Sequence, residues 1–417
     1  MERAVLVAVS MGGIAETEAS MEELALLADT AGAEPVATVI QYRQRFDPAT
    51  LAGKGKITEI RSEVAATGAD LVIFDNQLSP AQERNLAQAL GVRVLDRTAL
   101  ILDIFAQHAV TREGRVQVEL AQQRYRLPRL RGRGVELSRL GGGIGTRGPG
   151  ETVLEVDQRR IRQRISMLRR DLEDMARTRR VKRARRGRRE IPVVALVGYT
   201  NAGKSALLNA LTGAYALVED RLFATLDPTT RRLALPQGGG LLLSDTVGFV
   251  RSLPHQLVEA FKSTLEEAAE ADLLLHVVDV AAPDPEGRIR VVRQVLFEIG
   301  AAGVPEIMVG NKADVASQAA VTRFRAAHPE AEMVSALTGE GLPSLLERLM
   351  TEAYQGVVEV DVTIPFAEGG LVGVLHETAE VLAEEFTGQG TRLRARVPLR
   401  EMHRITHLLE PDHPTAG

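Results

Sequence analysis

The stretch "IPVVALVGYTNAGKSALLNALTG", residues 191 to 213, restricts the fold more than any other part of this chain. An apolar run ends at Gly198, four loop residues follow, and Gly203, Lys204 and Ser205 open a second apolar run of helical character. A glycine-bounded loop between a strand and a helix lets backbone N–H groups wrap phosphates, and the helix N-terminus adds its positive end. Gly198, Tyr199, Thr200, Asn201, Ala202 and Gly203 are therefore expected to form a phosphate cradle. In such a loop Lys204 reaches the β and γ phosphates and the Ser205 hydroxyl ligates Mg²⁺.

Three later segments come in the order that a guanine-nucleotide switch requires. In "LLLSDTVGFV" an apolar strand delivers Asp245, whose carboxylate can hold Mg²⁺ through water, and then Thr246, Val247 and Gly248. The Gly248 N–H can meet a γ-phosphate, which makes it, with Lys204, a candidate catalytic group. In "EIMVGNKAD" another strand ends at Asn311, Lys312, Ala313 and Asp314. The Asp314 carboxylate can accept from guanine N1–H and the exocyclic amine, donors that adenine does not present, and such buried bonds discriminate strongly. "MVSALTGEG" supplies Ser335, Ala336 and Leu337 as a loop closing over the base. Between the cradle and Asp245 lies "RLFATLDPTTRRL", a first switch in which Phe223, Ala224, Thr225, Leu226 and Asp227 approach the nucleotide. Thr225, Thr229 and Thr230 each offer a hydroxyl that can complete Mg²⁺ coordination when a γ-phosphate is present.

Around this centre the chain reads as a multidomain α/β protein in four parts. Residues 1 to 111 alternate short apolar runs ("AVLVAV", "PVATVIQ", "ADLVIFD", "VRVLD") with amphipathic stretches, the pattern of a small parallel α/β layer. Residues 112 to 189 change to long helices. Leu154, Ile161, Ile165, Leu168, Leu172 and Met175 form a heptad seam, and Val118, Ala121 and Tyr125 a shorter stripe, so two antiparallel helices should pack on each other. Their junction, "GRGVELSRLGGGIGTRGPGE", is too glycine-rich for a helix and reads as a hairpin tip. Residues 190 to 356 carry the nucleotide motifs on a mostly parallel sheet, and 357 to 417 read as a small α+β domain.

Charge separates these parts. The formal net charge of −4 contains a segment, residues 111 to 190, with 24 Lys/Arg against 10 Asp/Glu, which leaves −18 for the remainder. Nine basic residues lie between Arg177 and Arg189. Such local charge steers binding to phosphate-rich partners and gives affinity that falls with salt, although a charged linker into the next domain would have the same composition. The tip, with Arg131, Arg133, Arg139 and Arg147, is the better candidate for folded RNA, because glycine permits close approach and arginine offers bidentate phosphate contacts. The chain has no cysteine, which excludes disulfides and thiolate metal sites. No apolar run approaches the roughly 18 residues of a membrane span, and the expectation is a cytoplasmic protein without stable membrane insertion.

The motifs "GYTNAGKS", "FATLDPTTR", "DTVGFVRSLPHQLVEAFKSTLEE", "NKAD" and "SAL", with the upstream "LAGKGK", "AQQRYRLPRL" and "GGGIGTRGPGETVLEVDQRRI", resemble the HflX family among the translation-factor-related GTPases. The upstream segments distinguish that family from its Era and Obg relatives. The resemblance implies a GTPase that docks on the large ribosomal subunit and its RNA and, as in bacterial members, splits stalled ribosomes under stress; Mg²⁺ dependence, a monomer when free and no DNA partner are further expectations. It also places the first-switch Mg²⁺ ligand on Thr225. A large-subunit assembly factor would share the same surface. An ATP-driven RNA remodelling module with a regulatory GTPase domain is a further alternative; Asp314→Asn separates the two, since it should cripple GTP-dependent activity and spare ATP-driven activity.

Phe249 follows the Asp-x-x-Gly glycine, where many small GTPases carry a glutamine that orients the attacking water. A phenyl ring cannot position water, so unaided hydrolysis is expected to be slow; the ring can also simply pack against "LVEAF". Two decoys are set aside. "GKGK" at Gly53 to Lys56 lacks the cradle spacing and reads as a surface turn, and His403 and His407 lack a glutamate between them and a third ligand.

Overall fold

The computed structural model describes residues 1–130, 149–186, 191–213, 222–223, 229–234, 240–251, 262–353, 357–398 and 405. Two compact units divide the chain: Met1–Met175 with Glu219–Asp227 and Val247–Thr264, and Ala176–Val218 with Pro228–Thr246 and Leu265–Gly417.

In the first unit, β1 (Glu2–Ser10), β2 (Ala33–Tyr42), β3 (Leu71–Phe74) and β4 (Arg93–Asp96) make a parallel sheet in the order β2-β1-β3-β4. The central strand is apolar on both faces because helices cover both, as a parallel sheet demands. Side chains alternate across a strand, so Ala4, Leu6 and Ala8 enter one core while Val5, Val7 and Val9 enter the other. The first core is closed by α1 (Ile14–Thr30), α4 (Arg97–His108) and α5 (Arg112–Arg129), and the second by α2 (Lys54–Thr67) and α3 (Pro80–Leu90). α1 presents Met21, Leu24, Leu27 and Ala28, one face of a 3.6-residue period. α3 starts with a reciprocal capping box between Ser79 and Gln82 and Pro80 in its first turn. "GKGK" is not a surface turn: Gly53 caps α2 and Lys54 to Lys56 form its first turn, where the extended backbone at Gly53 can pass directly into helix.

α5 and α6 (Pro149–Arg186) pack together as the two apolar stripes imply, but not through the stripe expected on α5. Val118, Ala121 and Tyr125 turn into the sheet core, while Val116, Leu120 and Leu127 meet Ile161, Ile165, Leu168 and Leu172 of α6. A helix wedged between a sheet and another helix needs two apolar faces, and the stronger stripe went to the larger core. The tip residues Arg131, Arg133, Arg139 and Arg147 lie outside the described residues.

In the second unit, β5 (Val193–Gly198), β6 (Thr229–Ala234), β7 (Gly240–Asp245), β8 (Leu273–Asp279), β9 (Glu306–Asn311) and β10 (Glu332–Met333) form a six-stranded sheet in the order β10-β9-β8-β5-β7-β6. Only β6 runs antiparallel, as an edge strand paired with β7. The accompanying helices are α7 (Lys204–Thr212), α8 (Lys262–Ala269), α9 (Pro285–Glu298), α10 (Gln318–Ala327) and α11 (Leu342–Ala353). Further along, β11 (Val357–Pro365), β12 (Glu380–Thr387) and β13 (Gly390–Pro398) make an antiparallel sheet in the order β11-β13-β12, with α12 (Gly370–Thr378) packed on its apolar face through Leu371, Val372 and Leu375. Its other face pairs Arg392 with Asp361 and Arg394 with Glu359. His403 and His407 lie outside the described residues. Among those described, no helix is long and apolar enough to cross a membrane.

Candidate active site

β5 sits between β7 and β8, and its carboxyl end delivers the cradle at the edge where ligands bind in open α/β sheets. Both glycines of the motif are structurally necessary. Gly198 has φ 154° and a Cβ there would run into the Val277 carbonyl of β8; Gly203 has φ 89° and a Cβ would strike the Asn311 amide. Asn201 adopts a left-handed φ of 58°, which asparagine tolerates better than most residues.

Lys204 is 6% exposed and donates to the carbonyls of Gly198 at 3.1 Å and Tyr199 at 3.0 Å. Burial pushes its pKa from 10.5 down to about 8, against the opposing attraction of the Asp245 charge. The ammonium is thus curled onto its own loop, where phosphate oxygens can replace the carbonyls. Ser205 Oγ donates to Asp245 Oδ2 at 2.6 Å, bringing the helix start and the end of β7 together. Asp245 is 1% exposed. Thr246 Oγ1 donates to the Leu196 carbonyl at 2.7 Å and so fastens the chain leaving β7 to β5. A hydroxyl and a carboxylate side by side are hard oxygen donors, and they fit an ion such as Mg²⁺ that binds through one or two side chains plus substrate phosphates.

Asn311, 1% exposed, does more than its expected part in base recognition. Its Nδ2 donates to the Ala202 carbonyl at 2.9 Å and its Oδ1 accepts from Ala336 N at 3.0 Å, so one amide ties the cradle to the "SAL" loop. Ala313 N donates to the Val334 carbonyl at 3.1 Å, and Ser335 Oγ accepts from Thr338 N at 3.0 Å. Lys312 has φ 64° and its Nζ lies 2.9 Å from Asp279 Oδ2. Asp279 was not identified from sequence; the only signal is an aspartate ending an apolar strand one position along the sheet. Asp314 and Leu337 are exposed at the rim. The Arg288 guanidinium of α9 stands 5.1 Å from the centroid of the Tyr199 ring.

The second unit therefore gathers Gly198 to Ser205, Asp245, Thr246, Asn311 to Asp314 and Ser335 to Leu337. Phe223, Val247 and Gly248 belong to the first unit. Leu222, Phe223, Val247 and Val250 are buried in its core with Phe105 of α4, and Phe249 is 1% exposed. The Phe223 ring, expected beside the nucleotide, is committed to that apolar packing. Arg251 Nη1 lies 3.5 Å from Glu16 Oε1 of α1. Ala224, Thr225, Leu226 and Asp227 fall outside the described residues, as does the "LVEAF" segment. Thr229 and Thr230, the other candidates for the switch hydroxyl, are held in β6 opposite Asp245 and Ser244.

Three known families match successive stretches of the chain. Residues 18–106 match a family described as GTP-binding GTPase N-terminal, 108–186 its Middle Region, and 193–323 the family described as 50S ribosome-binding GTPase. The chain is 49% identical over 408 residues to GTPase HflX of Caldanaerobacter subterraneus subsp. tengcongensis, covering 98% of this chain and 94% of the relative. It is 42% identical over 407 residues to GTPase HflX of Escherichia coli K12, covering 97% and 95%. A crystal structure of SsGBP with GDP is 26% identical, covers 85% of this chain and 99% of the other, and has a TM-score of 0.47. With the nucleotide motifs in place and near-full-length identity to such relatives, the chain belongs to the HflX family and is a GTP hydrolase.

Proposed function

We propose that this GTPase is a Mg²⁺-dependent switch that docks on the large ribosomal subunit and splits or rescues stalled ribosomes. The observation that carries the reading is the division of the switch segments. Asp245 ends a strand of the nucleotide-binding unit and Thr246 follows it, whereas Val247 and Val250 are core residues of the N-terminal unit, as is Phe223 from the first switch. Loops that order around a terminal phosphate would act on chain that continues, through Val247, into the core of the N-terminal unit. Hydrolysis would release them, as in switches that order and relax their loops around a terminal phosphate.

Ser205 and Thr225 would hold the metal directly and Asp245 through water. A Mg²⁺ held there would supply positive charge that offsets the charge of the phosphates. Lys204 leaves the Gly198 and Tyr199 carbonyls for the phosphates. Asp314 reads the guanine edge. Water attacks the γ phosphorus, the bond to the β–γ bridging oxygen breaks with its electron pair kept by GDP, and the γ group leaves as inorganic phosphate, with the water's proton passing to phosphate or solvent. Phe249 cannot orient that water, so a group from the ribosome or a rearranged loop of this chain completes the site. Arg131, Arg133, Arg139 and Arg147 would contact ribosomal RNA.

Sedimentation with large subunits in GDP, GTP or a non-hydrolysable analogue tests this. Binding should favour the triphosphate state, be lost when the four arginines become glutamate with nucleotide affinity intact, and be accompanied by faster turnover. Equal turnover with and without subunits, or unchanged binding of the charge-reversed variant, would contradict it.

A further inference from the structure

We propose that Thr200 is a triphosphate-sensing residue whose hydroxyl donates a hydrogen bond to a γ-phosphate oxygen. The inference rests on the nucleotide reading above and gives the side chain, beyond the loop backbone, a role in distinguishing GTP from GDP.

Thr200 is 3% exposed, and its Oγ1 is the one buried hydroxyl among the described residues that has no hydrogen-bond partner. Buried polar atoms in native proteins are nearly always paired, and an exception calls for an explanation. Three other buried threonines follow the rule. Thr17, Thr30 and Thr246 are similarly buried, and their hydroxyls donate to the carbonyls of Gly13 at 2.9 Å, Leu26 at 2.7 Å and Leu196 at 2.7 Å. Thr200 could have been valine or alanine without losing any protein contact that its hydroxyl makes.

Its place in the loop indicates what the hydroxyl serves. The Tyr199 carbonyl, part of the peptide that joins Tyr199 to Thr200, accepts from Lys204 Nζ at 3.0 Å. That ammonium is the group that meets the β and γ phosphates in a cradle of this type. Thr200 therefore stands at the γ end, one peptide from the lysine, and the chain then turns through the left-handed Asn201. A hydroxyl donor on a phosphate oxygen makes a charge-assisted bond, stronger than one between neutral partners. GDP has no γ-phosphate oxygen to accept it, so the bond contributes to triphosphate affinity alone.

The test compares Thr200→Val, which keeps the shape and removes the donor, with Thr200→Ser, which keeps the donor. Calorimetry measures GDP and the β,γ-imido analogue of GTP with Mg²⁺, and thermal unfolding is followed without nucleotide. The valine variant should bind the analogue about tenfold or more weakly, the loss expected for a hydrogen bond to a charged group. Its GDP affinity should stay within about twofold of wild type, since that complex never contains the bond. Serine should restore most of the analogue affinity. The valine variant's melting temperature should equal or exceed that of wild type, since no protein hydrogen bond is lost. Unchanged analogue affinity, equal losses for GDP and analogue, or a lower melting temperature would overturn the proposal and return the hydroxyl to a loop-building role. A wild-type protein that failed to prefer guanine over adenine nucleotides would instead bring down the underlying reading of the pocket, and the proposal with it.

Discussion

Phe223 meets Phe105 edge to face, with ring centroids 4.6 Å apart and planes at 84°. Both rings are essentially buried, at 2% and 1% exposure, and Phe223 reaches its place through a left-handed φ of 59°. A non-glycine residue holds that conformation only when its surroundings fix it, and apolar packing against α4 is what fixes this one. A segment that sequence assigns to nucleotide sensing is thus anchored in the N-terminal core.

Phe105→Ala and Phe223→Ala should each destabilise the N-terminal unit by about 3–5 kcal/mol, the usual cost of truncating a buried phenylalanine. The double variant should fall short of additivity by about 0.5–1.5 kcal/mol, the worth of an edge-to-face pair beyond its buried area. Urea unfolding of the four proteins measures this. Simple additivity would mean that the two rings do not support each other.

Lys204 gives a pH dependence with a defined sign. Burial lowers its pKa from 10.5 to about 8, so between those values the folded protein holds fewer protons than the unfolded chain. The cost of burying the ammonium is fully present below about pH 8 and is relieved as pH rises toward 10.5. Triphosphate prefers the charged form, so binding at about pH 8.5 should take up protons and weaken as pH rises further. Calorimetry in two buffers of different ionisation enthalpy reads the uptake directly. Its absence at this pH would mean that Lys204 is already fully charged before the ligand arrives.

Asp314→Asn should lower GTP affinity by two or more orders of magnitude, on the order of losing two bonds to a carboxylate. The asparagine amide can donate to a carbonyl at the base's second position, so xanthosine triphosphate should bind the variant better than GTP does. Competition binding with both nucleotides decides the matter, and retained GTP preference would remove Asp314 from the base site.

A buried ionic network makes a separate prediction for stability. Asp96, with no exposed surface, accepts from Tyr125 Oη at 2.9 Å and Arg129 Nη2 at 3.1 Å, and Arg129 also lies over the Tyr125 ring and pairs with Glu83. Burial, and then the Asp96 charge, push the Tyr125 pKa far above its ordinary value, so the phenol stays a donor. Arg129→Met leaves Asp96 without its cation and should cost about 3–5 kcal/mol by chemical denaturation. GTP turnover measured well below the unfolding midpoint should not change. A loss below about 1 kcal/mol would show that the remaining donors alone satisfy the carboxylate.

The parts of this fold legible in sequence are those governed by local pattern. The strands around "AVLVAV" and "ADLVIFD" and the cradle between Gly198 and Ser205 follow from apolar runs and glycine spacing, and the structure forms them as β1, β3 and the β5–α7 loop. What sequence could not supply is the choice among long-range partners. The stripe of Val118, Ala121 and Tyr125 was visible as apolar, but whether it faced α6 or the sheet depended on which core was larger. Asn311 was legible as part of a base-binding motif, yet its bonds to Ala202 and Ala336 join residues far apart in the chain. Phe223 was placed near the nucleotide by motif order, and only tertiary packing with Phe105 shows what its ring does. Asp279 carries no motif at all and is identified by its ion pair with Lys312.

The most direct test of the central claim is hydrogen exchange in α4, residues Arg97–His108, where Phe105 receives Phe223. The intact protein is compared with GDP and with a non-hydrolysable GTP analogue at saturating Mg²⁺. Replacing GDP by the analogue should change protection in α4, and Phe223→Ala should remove the difference. Identical α4 exchange in the two nucleotide states, with both ligands bound, would contradict it.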